Sequence, residues 1–213
     1  MTGARQVLET ALRARSLADA RVLGLLARLE WFDGRYDRAL DLIGSMDQAG
    51  SWMPPNFRFP AGVAAGQIYE SMGRHDKARA GYAAAAAALE QRRQVTPDDY
   101  QIEAAMGLAM AGLGRRDEAV RHAKRSLELL PNNDAALRPL YLYLLAQVES
   151  RTGDQAAALT TLETLFSVPG FYNEHWVRRE PWFAALRADP AFESRVARWA
   201  TRKGTVVLLT SGS

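Results

Sequence analysis

The sequence contains no cysteine, which excludes disulfides, thiolate nucleophiles and zinc–thiolate sites. It has few lysines, 3 against 24 arginines, and only three histidines, His75, His122 and His175. None of the three has a partner at metal-ligand spacing in a recognisable motif. No stretch approaches the roughly 18 consecutive apolar residues of a membrane span. The opening "MTGARQVLETALRARSLADA" lacks the apolar core of a signal peptide. The expected location is therefore cytoplasmic, with the chain either whole or a piece of something larger and anchored.

Sequence signatures of chemistry are also missing. No GxSxG, HExxH or EF-hand pattern occurs. "GLGRR" (112–116) has the look of a phosphate-binding loop but follows a helical pattern, where such a loop must follow a strand. The pair Asp98-Asp99 stands just after Pro97 and reads as a helix start. No catalytic, cofactor-binding or metal-binding residue is expected, and the chain is expected not to be an enzyme. An enzyme would need ionisable residues converging in one pocket, such as a histidine facing a carboxylate.

What is present fits a folded globular chain: 48% hydrophobic and 24% charged residues, with a net charge of +3. The arginines are scattered among acids along every segment, where a nucleic-acid binder concentrates them on one face or tail. A GC-rich genome accounts for the excess of both arginine and alanine. Nucleic acid is not an expected partner.

The informative feature is a repeat. "DGRYDRALDLI" (33–43), "MGRHDKARAGY" (72–82), "LGRRDEAVRHA" (113–123) and "TGDQAAALTTL" (152–162) align, each with a glycine followed five residues later by alanine. The glycines Gly34, Gly73, Gly114 and Gly153 are 39, 41 and 39 residues apart. An apolar stretch with helical period lies on each side of every glycine. Each unit therefore reads helix, turn, helix, the glycine ending the first helix in a left-handed conformation. Asp37, Asp76, Asp117 and Asp154 stand where the next helix begins and suit its positive end. Small residues recur seven positions before the turn, at Ala27, Gly66, Gly107 and Ala146, and again at Ala39, Ala78, Ala119 and Ala158. They allow two antiparallel helices to approach closely. The alanine run 83–88 falls on the second helix of the second unit.

This pattern resembles the tetratricopeptide repeat (TPR) family, most closely in "AMGLAMAGLGRRDEAVRHAKRSLELLP" with its helix-stopping Pro131. Tyr69 matches the aromatic residue usual late in the first helix, and Glu149 departs from it. The period is nearer 40 than the family's 34, and the extra length is expected in "DQAGSWMPPNFRF" (47–59) and "QRRQVTPDD" (91–99). The resemblance implies an all-α, right-handed superhelical solenoid of about four repeats. They are expected over residues 18–170, at about 18–56, 57–96, 97–136 and 137–170. Residues 1–17 form a leading helix, either an N-terminal cap or the remnant of a longer array. Residues 171–204 form a helical cap in which Trp176, Trp182, Phe183, Phe192 and Trp199 supply an apolar face, since a solenoid needs its last unit covered. Residues 205–213 form a flexible tail.

"EPWFAALRADPAFESRV" is also similar to a segment that closes TPR arrays in bacterial multidomain signalling proteins. The resemblance implies a protein or peptide partner held in a groove lined by the first helices. The groove positions left over from packing are Arg21, Arg28, Gln67, Glu70, Gln101, Leu108, Tyr143, Gln147 and Arg151. The Lys/Asn/Arg set that clamps chaperone tails is missing, with Gly24, Arg28, Ala64, Gln101 and Ala105 near those places. Trp52, Met53 and Phe57 in "SWMPPNF" are expected either to pack over the first unit or to anchor a partner. Self-association through the N-terminal helix is a further expectation, and membrane insertion is not expected.

Overall fold

The structure, a computed structural model, describes residues 6–10, 20–46, 60–131, 136–168 and 172–200. The described residues are all helical or connecting, with no strand among them. They fall into two compact units, Met1–Pro97 and Asp98–Ser213. The "SWMPPNF" loop and the tail 205–213 lie outside the described residues, as does all of the leading segment except the helical residues 6–10.

The first unit holds two helix pairs, α1 (Ala20–Phe32) with α2 (Tyr36–Gly44) and α3 (Ala61–Ser71) with α4 (His75–Val95). The second holds α5 (Tyr100–Gly112) with α6 (Arg116–Leu129) and α7 (Arg138–Arg151) with α8 (Gln155–Ser167). After them come α9 (Glu174–Arg179), a 3₁₀ turn (Pro181–Phe183), α10 (Ala184–Arg187) and helical residues 192–200. No described helix is long and apolar enough to cross a membrane.

One turn is built four times. Gly34, Gly73, Gly114 and Gly153 have φ of 76°, 70°, 76° and 91°. In each case the glycine N–H donates to the carbonyl three residues back and the next N–H to the carbonyl five back, at 2.8–3.1 Å. This is the Schellman arrangement, which satisfies the last carbonyls of the first helix and needs a residue at positive φ. The residue after the glycine has φ of −85° to −90° and ψ of 66° to 75° in all four turns, and the second helix starts from it. Asp154 caps its helix directly, accepting from the Ala157 N–H at 3.0 Å. With these turns and their packing the chain has a TPR-like helical-repeat fold.

The small residues do what their spacing predicts. Ala39, Ala78, Ala119 and Ala158 are at most 2% exposed, and Ala27 and Ala146 are fully buried. In the second pair the approach is closest. A Cβ on Gly66 would lie 2.6 Å from the Tyr82 ring, and a Cβ on Gly62 or Gly81 would lie 2.9 Å from the other's carbonyl oxygen. Tyr82, the largest residue at its repeat position, fills the slot that Gly66 leaves, and its hydroxyl donates to Glu70 at 3.1 Å.

The extra repeat length is not all in links. In the second unit of the repeat, "QRRQV" continues α4 as helix to Val95, so α4 reaches 21 residues against the 11 of α3. Alanine-rich sequence favours this, having the best helix propensity. Asp99 then caps α5, accepting from Gln101 N–H at 2.7 Å and Ile102 N–H at 3.3 Å. The chain also breaks where its prolines predict. Glu180 before Pro181 is extended, with ψ 117°, and α10 ends at Arg187 ahead of Asp189-Pro190.

Two substitutions test this packing in urea unfolding followed by far-UV circular dichroism. Gly66→Ala is expected to cost about 1–3 kcal/mol through overpacking against a ring that cannot move aside. Gly114→Ala is expected to cost roughly 1–2 kcal/mol from the left-handed backbone alone, because nothing lies within 4 Å of the added methyl. Equal stability of either variant and the parent would contradict the corresponding account.

Candidate functional site

Each helix pair carries a polar tie to a glutamate of its first helix. In the first, Glu30, 1% exposed, is paired with Arg35 beyond the turn. In the second the tie is Tyr82 to Glu70. In the third, His122 Nδ1 lies 2.6 Å from Glu103 Oε2, with both residues buried between α5 and α6. In the fourth, the Thr161 hydroxyl donates to Glu149 Oε2 at 2.7 Å. His122 and Thr161 occupy the same place on their helices, eight residues after the turn glycine. Sequence spacing missed the His122–Glu103 pair because its members are 19 residues apart on different helices. The pair is a histidine facing a carboxylate, but it sits inside a helix–helix contact and not in a cleft. No group of three or more metal-ligating side chains occurs among the described residues.

Burial holds the Glu149 carboxyl above the usual carboxylate range, offset in part by the Thr161 hydrogen bond and the charge of Lys124, while Asp154 adds to the rise. Its folded pKa therefore exceeds its unfolded one. The folded state keeps a proton that the unfolded chain has already lost, so Glu149 opposes folding increasingly as pH rises between the two values.

The expected groove positions are distributed over both units. Arg21 lies on α1, but its side chain is outside the described ones. Arg28 is 2% exposed, its guanidinium 5.2 Å from the Phe32 ring centroid and 6.0 Å from that of Trp31. Gln67 and Leu108 are buried, and Glu70 and Gln101 are half-buried. On α7, Tyr143 and Gln147 are buried while Arg151 is exposed. The expectation that all nine escape packing is thus corrected for Arg28, Gln67, Leu108, Tyr143 and Gln147. Glu70, Gln101 and Arg151 retain solvent contact.

For α7 the cause of burial is visible. Every residue from Pro139 to Ser150 is buried. The segment after α8 lies along one face of the helix. Tyr143 stacks on Tyr172 at 4.4 Å between centroids and meets Phe183 edge-on at 5.7 Å. Its hydroxyl donates to Glu180 Oε2 at 2.8 Å. The Ser150 hydroxyl donates to the Trp182 carbonyl at 2.7 Å, and the Arg151 guanidinium stands 5.9 Å from the Trp182 ring centroid. Glu180 is fully buried, and Arg187 donates to its carbonyl oxygen at 2.6 Å. Burial lowers the pKa of Arg187, opposed by the nearby Glu180 and Tyr143. Further along, Trp199 stacks on Phe166 at 4.9 Å. Of the expected cap aromatics, Trp182, Phe183, Phe192 and Trp199 are buried and Trp176 is half-buried.

No family model and no curated protein matches the chain. Several solved structures are similar to it in fold. MamA residues 41 to the end, from Desulfovibrio magneticus RS-1, is 18% identical, with a TM-score of 0.35, over 77% of this chain and 82% of that one. A tetratricopeptide repeat protein from Parabacteroides merdae ATCC 43184 is 12% identical, with a TM-score of 0.41, over 95% of this chain and 86% of that one.

Glu149→Gln is expected to raise the melting temperature at pH 7.5 and to change it little below about pH 4, where the unfolded carboxyl is itself protonated. Thr161 can still donate to the amide oxygen. Thermal unfolding at the two pH values checks this, and a loss of stability at pH 7.5 would reverse the sign assigned to the burial.

Proposed function

We propose that the chain is a non-catalytic scaffold that binds a protein or peptide partner through the faces of its first helices. The observation that carries this is the economy of the helix pairs. The buried glutamates and histidine of the pairs, Glu30, Glu103, His122 and Glu149, are taken up in ties within the pairs and are not set into an open cleft. On the first helices Glu70 and Gln101 are half-buried and Arg151 is exposed, so these hydrogen-bonding side chains keep solvent contact on ordered helices. A preordered frame of that kind binds a flexible segment without ordering cost on its own side.

Arginine pairing supports a protein partner over nucleic acid. Arg93 with Glu90, Arg115 with Glu118, Arg125 with Asp98 and Glu128, and Arg178 with Glu193 are ion pairs spread over several helices. Arginines held this way do not make a stripe for phosphates. A cytoplasmic, regulatory place in a bacterial signalling protein is the finer reading, supported by the similarity of residues 180–196 to segments that close such arrays. Self-association through the N-terminal helix is a second reading, favoured by Val7, which is 68% exposed. Its test is a sedimentation concentration series on the parent and Val7→Asp.

A photo-crosslinking residue at Gln101 or Arg151 is expected to capture a discrete polypeptide from the source cell, and the same group at the exposed Arg121 of α6 is not. Identical capture from all three positions, or capture from Arg121 alone, would overturn the first-helix reading.

A further inference from the structure

The face of α7 covered by the C-terminal segment differs from an ordinary apolar contact. Tyr143, Gln147, Ser150 and Arg151 recur at intervals of four, three and one along one side of the helix. Beside the ring contacts of Tyr143, three of them meet the covering segment through polar groups: a hydroxyl on a carboxylate, a hydroxyl on a backbone carbonyl and a guanidinium over a ring. Side chains that read another segment's backbone and one of its carboxylates form the contact set of a bound peptide. The segment behaves as a ligand would in a second respect. Its elements are six, three and four residues long, well short of the length at which a helix holds itself together. Its conformation therefore depends on the surface beneath it. The fit is also incomplete. The buried Gln147 amide nitrogen has no hydrogen-bond partner among the described residues, so one donor of the row is left unused.

We propose that this face of α7 is a segment-recognition site filled in cis by residues 172–187, and that it takes in trans a protein segment carrying a carboxylate two residues before an aromatic ring. Glu180-Pro181-Trp182 is the resident version of that sequence. Its carboxylate takes the Tyr143 hydroxyl, its ring lies under Arg151, and its backbone carbonyl takes Ser150. An incoming segment with the same groups and an added acceptor for Gln147 has the advantage of one more hydrogen bond. Exchange of one segment for the other makes the cap a gate on partner binding. The inference rests on the partner-binding reading of the first helices.

Two measurements on the full chain test it. In hydrogen exchange of the parent protein, the amides of Val177, Glu180 and Phe183 are expected to exchange at least tenfold faster than those of Leu144–Val148. Equal protection would mean that the segment opens only when the whole unit unfolds, and the proposal fails. The second measurement is fluorescence anisotropy with a labelled synthetic peptide of residues 172–187. Trp182→Ala, which loosens the resident segment, is expected to bind the peptide at least tenfold more tightly than the parent. Adding Tyr143→Phe and Arg151→Ala is expected to remove that gain. Equal binding by parent and Trp182→Ala, or none by either, overturns the proposal, and so does a dimer of Trp182→Ala whose amount grows with concentration, since the face would then take a second copy. Crosslinking at Gln101 on α5 separates this outcome from the broader one. A partner captured there with no peptide exchange leaves the scaffold reading standing and removes the gate.

Discussion

A backbone torsion that only glycine adopts freely governs this fold. At each of the four turns the chain must reverse within two residues while the first helix still has carbonyls to satisfy. A residue at φ of 70° to 91° does both. Once the turn is fixed, so is the register of the two helices, because the second starts from a residue of nearly constant φ and ψ. The positions seven before and five after each glycine then face the partner helix, and they must be small. The paired helices, their buried alanines and the slot that Tyr82 fills all follow from that single conformation.

Upon this frame the sequence varies its polar ties. A pair of close-packed helices with small residues at the seam buries little apolar area, and register on such a surface is weakly specified by hydrophobic contact alone. A hydrogen bond to a glutamate in each pair adds specificity, since a slip would leave that carboxylate unsatisfied. Four different chemistries serve this end: an arginine, a tyrosine, a histidine and a threonine, each set against a glutamate. His122 serves in one of them, and Thr161 takes the matching place in the next pair.

Much of the fold was legible in the sequence because the turn leaves an unmistakable mark, a glycine and an alanine five apart recurring every forty residues. The helix start at Asp99 and the breaks at Pro181 and ahead of Asp189-Pro190 were equally readable, each resting on local backbone chemistry. Other features were not. The continuation of α4 through "QRRQV" was hidden because the same residues suit a polar link, and helix propensity decided the matter. The burial of Tyr143 was hidden for a different reason: repeat position says which way a side chain points, but not what a distant, non-repeating segment lays over it. Glu180, Trp182 and Ser150 belong to that second class, for no repeat register places them together.

The alanine run on α4 has a consequence for variation. Ala83, Ala84, Ala87 and Ala88 face solvent, while Ala85 and Leu89 hold the helix to its neighbour. Helix propensity, with no help from tertiary contact, sustains the outer side. Within one turn of helix the chain thus passes from positions that admit no added methyl, at Gly81, to positions that admit almost any residue compatible with a helix. Tolerance and intolerance alternate there with the helical period, so substitution frequencies along α4, in any population of related chains, should trace the geometry of its packing as a wave.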